Sequence, residues 1–401
     1  MKPAKKPLGL YIHIPFCPRK CAYCDFYSLP GSEDQMDAYA EALLAHLTET
    51  APYTAGYVVD SVYFGGGTPT CFGEKRLVKL LKTILKRYTV ARNAEITLEA
   101  NPDSAGNWKE LRALRKAGFN RLSLGMQSAS DAELAAIGRL HSYQQVKDAV
   151  EAARKAKFDN LSLDLIYGLP RQTIDRWQRN LTAAAALEPE HFSCYGLKVE
   201  EGTPLFAEKD AAGLPGDEEQ AEMYLYTVDF LAGRGYQQYE ISNFAKPGFA
   251  SRHNMKYWTL EEYAGFGPGA HSDMGNVRYA YAKDLDAYIH GVPAHDAPLS
   301  ERDRIPSFDR DTEWIMLSLR TVHGLDPKVF ENRFRRRFDC FLPFLRQCQE
   351  SGYAVLEEGR WRLTPQGFLV SNQIIGGMLD ALAEDKRRRA AAAARGDFRV
   401  F

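Results

Sequence analysis

The first half of the chain alternates short β-rich runs with amphipathic helical patterns, and this alternation constrains the fold more than any other feature. Six β-rich runs occur, at residues 8–14, 61–66, 94–100, 120–126, 160–170 and 191–199. Between them, apolar residues recur at three- and four-residue spacing, the period of a helix that packs on one face. Repeated strand–helix–strand units favour a parallel sheet, either open or curled into a partial barrel. Functional residues in such folds gather at the carboxyl ends of the strands.

The sequence changes character twice beyond the barrel-like core that we predict for residues 1–200. Residues 201–300 are less regular, with a helical pattern near 217–234 and then a stretch rich in glycine and aromatic residues. Residues 301–380 contain helical patterns and two short β-rich runs, in an order that resembles a winged-helix α+β domain. Residues 381–401 are basic and rich in alanine, and we expect them to fray as a solvated end. The predicted class is therefore α/β, with a small α+β domain at the carboxyl end.

Charge and cysteine content exclude several classes of protein. Lys and Arg number 51 against 52 Asp and Glu, so a net charge of −1 gives no general attraction to nucleic acid or anionic lipid. The start of the chain lacks the apolar stretch of a secretory signal, and no apolar run is long enough to span a bilayer. Seven cysteines, with three of them crowded together, suit a reducing compartment and a metal. We expect a cytoplasmic protein, with peripheral association at a membrane left open.

The strongest chemical signal is a group of three cysteines directly after the first β-rich run. Cys17, Cys21 and Cys24 have the spacing CxxxCxxC. Three thiolates this close can converge on one soft metal centre if the backbone wraps around it as a loop. On a four-iron cluster they would leave one iron without a protein ligand, which is what a reactive site needs. The alternative is structural zinc, for which His13 and Asp25 lie near but complete no usual ligand set.

A second signal is the glycine-rich sequence GGGTPT at 65–70, where the second β-rich run ends. Consecutive glycines let the backbone approach a ligand closely, because no Cβ intervenes. Taken alone, they fit a plain tight turn equally well.

Together, the cysteine and glycine motifs on an alternating βα chain resemble the radical S-adenosylmethionine (radical SAM) superfamily. The resemblance implies a [4Fe-4S] cluster on the three cysteines and a glycine-rich strand end that receives the methionine amino group of SAM. Further stretches resemble the family that contains oxygen-independent coproporphyrinogen III oxidase and heme chaperones of the HemW kind. They are YIHIPFC at 11–17, EANP at 99–102, GMQS at 125–128, LDLIYGLP at 163–170 and GFGPGAHS at 265–272.

This resemblance implies a set of SAM-binding residues. Tyr23, inside the cysteine loop, would contact the adenine. The others are Tyr11, Gly66, Gly67, Thr68, Glu99, Gln127, Arg139 and Asp164. Glu99, Gln127 and Asp164 also lie at or just beyond predicted strand ends, where carboxylates can accept ribose hydroxyls or the methionine ammonium. Their alternative roles are loop polarity or helix capping, and Arg139 can equally be a solvated charge at a helix end.

Two departures separate this chain from the oxidase in that family. The oxidase carries a further cysteine two positions past the third cluster ligand, whereas Cys24 is followed here by Asp25 and Phe26. The oxidase also has an N-terminal extension that helps to build its porphyrinogen pocket, whereas ten residues precede Tyr11 here. Both differences weigh against a true coproporphyrinogen III oxidase, and whether the chain is an enzyme at all stays open.

One motif favours the heme chaperones. His253, Asn254, Tyr257 and Trp258 match HNxxYW, which the resemblance associates with heme binding. Heme needs an axial base such as imidazole and a flat, apolar and aromatic environment. The alternative is a histidine that satisfies hydrogen bonds beneath the barrel, in a glycine-rich loop.

Three functions follow as competing hypotheses. The first is a heme chaperone that binds a [4Fe-4S] cluster, SAM and heme and passes heme to an acceptor such as a respiratory hemoprotein. The second is a radical SAM enzyme that modifies a porphyrin, such as a coproporphyrinogen decarboxylase. The third is a nucleic-acid regulator that uses the basic run at 333–337, but a charge run on a helix usually faces solvent, and we expect no nucleic-acid partner.

Overall fold

The computed structural model describes residues 5–395, which form two compact units. The first unit comprises the chain up to Gln237, Ser242–Lys256 and Glu261–Arg304. The second comprises Gln238–Ile241, Tyr257–Leu260 and the chain from Ile305 onward.

Six parallel strands form the centre of the first unit, in the order that the sequence predicts. They are β1 (Lys6–Ile14), β2 (Tyr57–Gly66), β3 (Val90–Ala100), β4 (Arg121–Gln127), β5 (Leu161–Tyr167) and β6 (His191–Gly196). The helices between them are α1 (Glu33–Thr50), α2 (Glu74–Arg87), α3 (Trp108–Ala117), α4 (Asp131–Ala136), α5 (Tyr143–Lys155) and α6 (Ile174–Ala185). The predicted α/β class is confirmed. Successive parallel strands need a long crossover, and each crossover here carries at least one helix.

The two faces of this sheet have opposite chemistry. On β4, Leu122, Leu124 and Met126 are fully buried in the hydrophobic core, whereas Arg121 and Ser123 line an interior cavity. Successive side chains on a strand point to opposite faces, so one face packs on helices while the other presents polar groups. Residues of β2 to β6 line the same cavity, so these strands curl around it.

Shorter elements extend the sheet at both edges, to twelve strands in the order β12-β11-β10-β9-β1-β2-β3-β4-β5-β6-β8-β7. β9 pairs parallel with β1, and β8 pairs antiparallel with β6. The helices are α7 (Pro204–Glu208), α8 (Asp217–Ala232), α9 (Arg252–Thr259) and α10 (Leu285–Gly291). The strands are β7 (Gln237–Gln238), β8 (Asn243–Ala245), β9 (Tyr263–Phe266), β10 (His271–Met274), β11 (Val277–Tyr281) and β12 (Leu299–Arg304).

The HNxxYW motif lies on helix α9, so its expected placement in a loop is wrong. The helix begins over the buried carboxylate of Glu95, which accepts hydrogen bonds from the N–H groups of Arg252 at 3.1 Å and His253 at 3.0 Å. A carboxylate at this end satisfies N–H groups that have no partner within the helix and opposes the helix dipole favourably. Glu95 lies more than 150 residues away in sequence, so no local pattern reveals this anchor.

The second unit has the helix and hairpin order that the sequence predicts for its carboxyl domain. Its helices are α11 (Asp311–Ser318), α12 (Pro327–Phe334), α13 (Leu342–Glu350), α14 (Pro365–Leu369) and α15 (Ser371–Ala394). Between α13 and α14, β13 (Ala354–Glu357) and β14 (Arg360–Leu363) form an antiparallel pair. An aromatic cluster fills its core, made of Trp314, Phe330, Phe334, Phe338 and Phe341.

The expectation that the carboxyl tail frays from residue 381 is wrong for the part that the structure describes. Helix α15 continues to Ala394, and Leu382 on it is buried. Lys386 lies 2.8 Å from the buried carboxylate of Asp311, and Arg389 pairs with Asp385 one turn earlier. These contacts hold the basic tail as a helix, and residues 396–401 lie outside the described range.

The basic run at 333–337 is partly neutralised within the second unit. Arg336 lies 3.1 Å from Asp311, and Arg337 pairs with Asp339. Charges engaged in this way contribute less to phosphate binding, so the structure offers the nucleic-acid hypothesis little support. Among residues 5–395, no helix is long and apolar enough to cross a membrane.

Replacing Asp311 with alanine will destabilise the second unit. Asp311 is buried between Arg336 and Lys386, and its loss leaves both cations without their shared carboxylate. We expect a loss of about 1–3 kcal/mol, measured by chemical denaturation. The control is Asp309→Ala, because Asp309 is exposed. Equal stability of the two variants would contradict this role of Asp311.

Candidate functional site

One cavity of about 490 Å³ gathers most of the predicted site residues. It lies where β2 to β6 end or curve inward, and it takes one wall from the loop that follows β1. The predicted residues that line it are Cys17, Cys21, Tyr23, Cys24, Gly66, Gly67, Thr68, Glu99, Gln127, Arg139, Asp164 and Asn254. Tyr11, His253, Tyr257 and Trp258 are not among the described lining residues.

The cysteine loop places three thiols on one wall of this cavity. A turn closed by the Cys24 N–H and the Cys21 carbonyl, at 3.2 Å, brings the second and third cysteines close in space. The Arg139 guanidinium donates to Cys21 Sγ at 3.6 Å. Burial, as the largest cause, raises the pKa of Cys24, and the neighbouring thiols add to this effect. Arg139 places a positive charge beside Cys21 at the cavity wall.

The donor set fits an iron–sulfur cluster better than structural zinc. His13 is held by hydrogen bonds from both ring nitrogens, 3.0 Å from the Tyr11 hydroxyl and 3.1 Å from the Tyr27 carbonyl, and burial lowers its pKa to about 4. It is therefore not directed at the thiols as a fourth ligand. Within residues 5–395, no three Cys, His, Asp or Glu side chains already converge at metal-binding distance, and Cys17 Sγ donates to the Arg19 carbonyl at 3.1 Å. Cys17 has to exchange this bond to join its two neighbours on a cluster.

The glycine-rich strand end is shaped by the cysteine loop as well as by the cavity. A Cβ on Gly66, whose φ is +116°, would lie 2.6 Å from the His13 ring. A Cβ on Gly67 would lie 2.6 Å from the Phe16 carbonyl oxygen. A plain turn would not need both glycines. Here β1 and the residue before Cys17 lie so close to the strand end that a side chain on either glycine would collide with them. The backbone polar groups of 65–68 are thereby brought beside the three cysteines.

Glu99 is an acidic group of the cavity whose two carboxylate oxygens each accept a hydrogen bond. Its carboxylate accepts hydrogen bonds from the Tyr63 hydroxyl at 2.6 Å and from the Gly66 N–H at 3.1 Å. Burial raises the pKa of Glu99 to about 7, and the nearby Asp164 adds to the rise, while the Tyr63 bond opposes it. The carboxyl group is therefore poised to ionise near neutral pH, when a cationic ligand would favour its charged form.

Asp164 on β5 and Gln127 at the end of β4 complete the polar wall. Asp164 accepts hydrogen bonds from the hydroxyls of Ser123 at 3.0 Å and Ser162 at 3.2 Å, while burial raises its pKa. Gln127 is buried and has a φ of +61°, a conformation uncommon outside glycine, at the point where β4 ends. Gln127 agrees with the strand-end expectation, whereas Asp164 lies in the middle of β5 and reaches the cavity from the inner face of that strand, so the expectation is wrong for Asp164.

Arg139 is not the solvated helix-end charge that its sequence context equally allows. Its guanidinium donates to Asn101 Oδ1 and to the Gly125 carbonyl, each at 2.7 Å, besides Cys21 Sγ. Tyr23 lies beside it, and burial raises the pKa of that phenol. Arg139 therefore bridges the ends of β3 and β4 to the cysteine loop.

Arg121 and Tyr63 are among the cavity residues that sequence reasoning missed. Arg121 is almost fully buried, and its positive charge lowers the pKa of Glu99 and Asp164. The signal was present, because Arg121, Ser123 and Gly125 alternate with leucines and so share the inner face of β4. Tyr63 lies on β2 two residues before the first glycine of the motif, so the same alternation places it on the face of that glycine.

The histidine of the HNxxYW motif is buried in the first unit. His253 is 1% exposed, and its Nδ1 lies 3.0 Å from the Ser61 hydroxyl. Its ring stacks on Tyr63 with centroids 5.2 Å apart, and burial lowers its pKa to about 3. Asn254 lines the cavity, whereas Tyr257 and Trp258 are half-buried on the following turn and group with the second unit. In this arrangement the imidazole serves as a hydrogen-bonded interior group.

Comparisons with known proteins agree with this geometry. The family models "Radical SAM superfamily" and "HemN C-terminal domain" match residues 11–183 and 307–370. The heme chaperone HemW of Bacillus subtilis is 36% identical over 376 residues, which cover 93% of this chain and 99% of that protein. The chain belongs to the HemW-like radical SAM proteins of the HemN family. The family that the sequence motifs predict is thus confirmed.

Two further relatives show how far the likeness extends. The heme chaperone HemW of Escherichia coli is 34% identical and covers 92% of this chain and 97% of its own. The solved structure of coproporphyrinogen III oxidase (HemN) from Escherichia coli aligns with a TM-score of 0.81 at 26% identity, and the alignment covers 93% of this chain and 90% of that one. Both units of the chain therefore have counterparts in the family.

Replacing Glu99 with glutamine will stabilise the SAM-free protein at alkaline pH. The pKa of Glu99 is about 7 in the folded state against an ordinary value of 4.5 in the unfolded chain, so wild-type stability falls as pH rises from 4.5 to 7. The variant lacks this loss, and we expect its advantage to approach about 3 kcal/mol at pH 8 and to vanish near pH 4.5. Urea denaturation at several pH values measures it. The exposed Glu151→Gln is the control, and an advantage independent of pH would contradict the mechanism.

Proposed function

We propose that this chain is a heme chaperone that holds a [4Fe-4S] cluster and SAM in the cavity and passes heme to an acceptor hemoprotein, such as a respiratory one. The observation that carries the proposal is the meeting of three cysteines, a glycine-rich strand end and two half-buried carboxylates in one cavity. The names of the relatives, which match along almost their whole length, add heme to this set.

For the cluster, we assign Cys17, Cys21 and Cys24 as ligands. Their thiols share a wall of the cavity, and Arg139 supplies positive charge beside Cys21. Three ligands would leave one iron without a protein ligand, so that iron could take a further ligand. The residues of this chain would orient that ligand and exclude water around it.

For SAM, we assign the remaining polar wall. Glu99 would accept the methionine ammonium near the backbone of Gly66, Gly67 and Thr68, and Asp164 and Gln127 would bind the ribose. Tyr23 would contact the adenine from the cysteine loop, with Arg139 behind it, and Tyr11 would support the site from β1. The raised pKa of Glu99 supports the first assignment, since a buried carboxylate binds a cation more strongly than an exposed one does.

For heme, we assign the HNxxYW residues His253, Asn254, Tyr257 and Trp258. His253 would have to exchange its Ser61 partner for iron, because its ring is buried in the present arrangement. The low pKa of His253 supports this role, as a neutral imidazole needs to lose no proton before it ligates a metal. Tyr257 and Trp258 would supply aromatic surface to the macrocycle.

Replacing Cys17, Cys21 and Cys24 together with alanine will abolish the cluster. After anaerobic reconstitution we expect about four iron atoms per wild-type chain and almost none in the triple variant, by iron and sulfide analysis with visible absorbance. Cys71→Ala is the matched control, because Cys71 follows the glycine-rich motif but does not line the cavity. Full iron content in the triple variant would rule out this cluster assignment.

Replacing His253 with alanine will weaken heme binding. We expect the dissociation constant to rise at least about tenfold in an anaerobic heme titration followed by absorbance, because the axial base is lost. The cysteine triple variant should keep heme binding if the heme site is separate from the cluster.

Two controls separate loss of the ligand from loss of structure. Ser61→Ala removes the hydrogen-bond partner of His253 and leaves the imidazole in place, so it should bind heme at least as tightly as wild type. His290→Ala removes an exposed histidine and should change nothing. Unchanged heme affinity in His253→Ala would end the assignment of this residue, and an absence of saturable heme binding in wild type would end the chaperone proposal.

A second candidate function, a radical SAM enzyme that modifies a porphyrin, is favoured by one observation. The fold matches coproporphyrinogen III oxidase (HemN) along nearly the whole chain. The sequence departs from the oxidase after Cys24, where Asp25 and Phe26 follow in place of a fourth cysteine. Release of carbon dioxide from coproporphyrinogen by the reconstituted chain with SAM and a reductant would establish the enzyme, and its absence alongside heme binding would favour the chaperone.

A further inference from the structure

Tyr63 lies between the HNxxYW motif and the acidic group of the cavity. On one side its hydroxyl donates to Glu99 Oε1 at 2.6 Å. On the other side its ring stacks on the His253 ring, with centroids 5.2 Å apart and planes inclined by 28°. Tyr63 is itself buried, so both contacts are shielded from water.

The first turn of α9 is fixed on the far side of this stack. Glu95 accepts the N–H of His253 at 3.0 Å, and Ser61 meets the ring nitrogen Nδ1 at 3.0 Å. Glu95 and Ser61 are paired in register on β3 and β2, one layer below Thr97 and Tyr63. The imidazole therefore has one position against Tyr63, and it restricts where the phenol ring can lie.

Glu99 connects Tyr63 to the glycine-rich strand end. Glu99 uses its second oxygen, Oε2, to accept the Gly66 N–H at 3.1 Å. The groups that act on the Glu99 charge are Tyr63 on β2, Arg121 on β4 and Asp164 on β5. Of these, Tyr63 is the neutral donor to the carboxylate, and its ring stacks on His253 and also on Tyr11, with centroids 6.2 Å apart.

We propose that Tyr63 is a positioning residue for SAM, which passes the packing of His253 on to Glu99 and so joins the heme motif to the SAM cavity. The proposal rests on the proposed function, in which Glu99 binds the methionine ammonium. Tyr63 holds the carboxylate in its ionised, oriented form, and His253 holds Tyr63. A motif assigned to heme thus also determines how well SAM is bound.

The direction of the pH effect follows from the hydrogen bond. Donation from Tyr63 lowers the pKa of Glu99, against the rise caused by burial. Tyr63→Phe keeps the ring that stacks on His253 but removes this donor, so Glu99 stays protonated to higher pH. SAM binding that requires the ionised carboxylate then begins at higher pH than in wild type.

The test is SAM affinity measured against pH on the full, anaerobically reconstituted chain, by equilibrium dialysis with labelled SAM. If the substitution raises the pH midpoint of SAM binding by one unit, Tyr63→Phe binds SAM about eightfold more weakly than wild type at pH 6.5. This difference in affinity disappears toward pH 9. His253→Ala should shift the midpoint in the same direction, whereas His253→Phe, which keeps a ring on Tyr63, should shift it less. Tyr88→Phe is the control, because it removes another buried hydroxyl, which donates to the Leu47 carbonyl.

The outcomes distinguish this inference from the proposed function. If wild type binds SAM but Tyr63→Phe has the same pH midpoint, or His253→Ala leaves that midpoint unchanged, the positioning role is overturned and the SAM assignment stands. If wild type with a full cluster binds no SAM at any pH, the proposed function and the inference fail together. A loss of affinity in Tyr63→Phe that is equal at every pH marks a structural effect only and also overturns the inference.

Discussion

The polar interior of the first unit depends on one buried guanidinium. Arg121 lies almost wholly out of solvent, and its positive charge acts on Glu99 and Asp164, two carboxylates that burial alone would keep protonated. Charges removed from water are tolerated when they are paired and hydrogen-bonded. The serine hydroxyls around Asp164 and the Tyr63 hydroxyl on Glu99 supply the remaining bonds. A sheet with so polar a face can exist only because it curls and encloses that face.

Much of this architecture was accessible from sequence because it follows local periodicity. Six strands alternate with helices, and Glu99 and Gln127 lie where parallel strands end, as the motifs predict, whereas Asp164 lies in the middle of β5. Arg121 and Tyr63 show the limit of that reasoning. Both lie on the inner face by simple alternation, but an arginine or tyrosine in a strand takes on a role only through partners on other strands, which no local pattern identifies.

The two corrections share one physical cause, a distant carboxylate. The HNxxYW segment is a helix because Glu95 on β3 accepts its first N–H groups, and the tail stays helical where Lys386 reaches Asp311. The sequence indicated a glycine-rich loop for the first segment and, for the alanine-rich tail that is capable of helix, a solvated end that frays, and tertiary contacts decide both. The role of the glycines at 66 and 67 was ambiguous from sequence for a related reason. The groups that lie close to them, His13 and Phe16, belong to another segment of the chain.

The burial of His253 has a consequence for chemistry at different pH values. While it stays buried, an imidazole whose pKa is lowered to about 3 is uncharged throughout the physiological range. In the proposed heme role, a ring that is 1% exposed must be uncovered before it can meet iron. Uncovering removes the burial that lowers the pKa of His253, so in that role the imidazole becomes open to protonation only when it leaves its buried position.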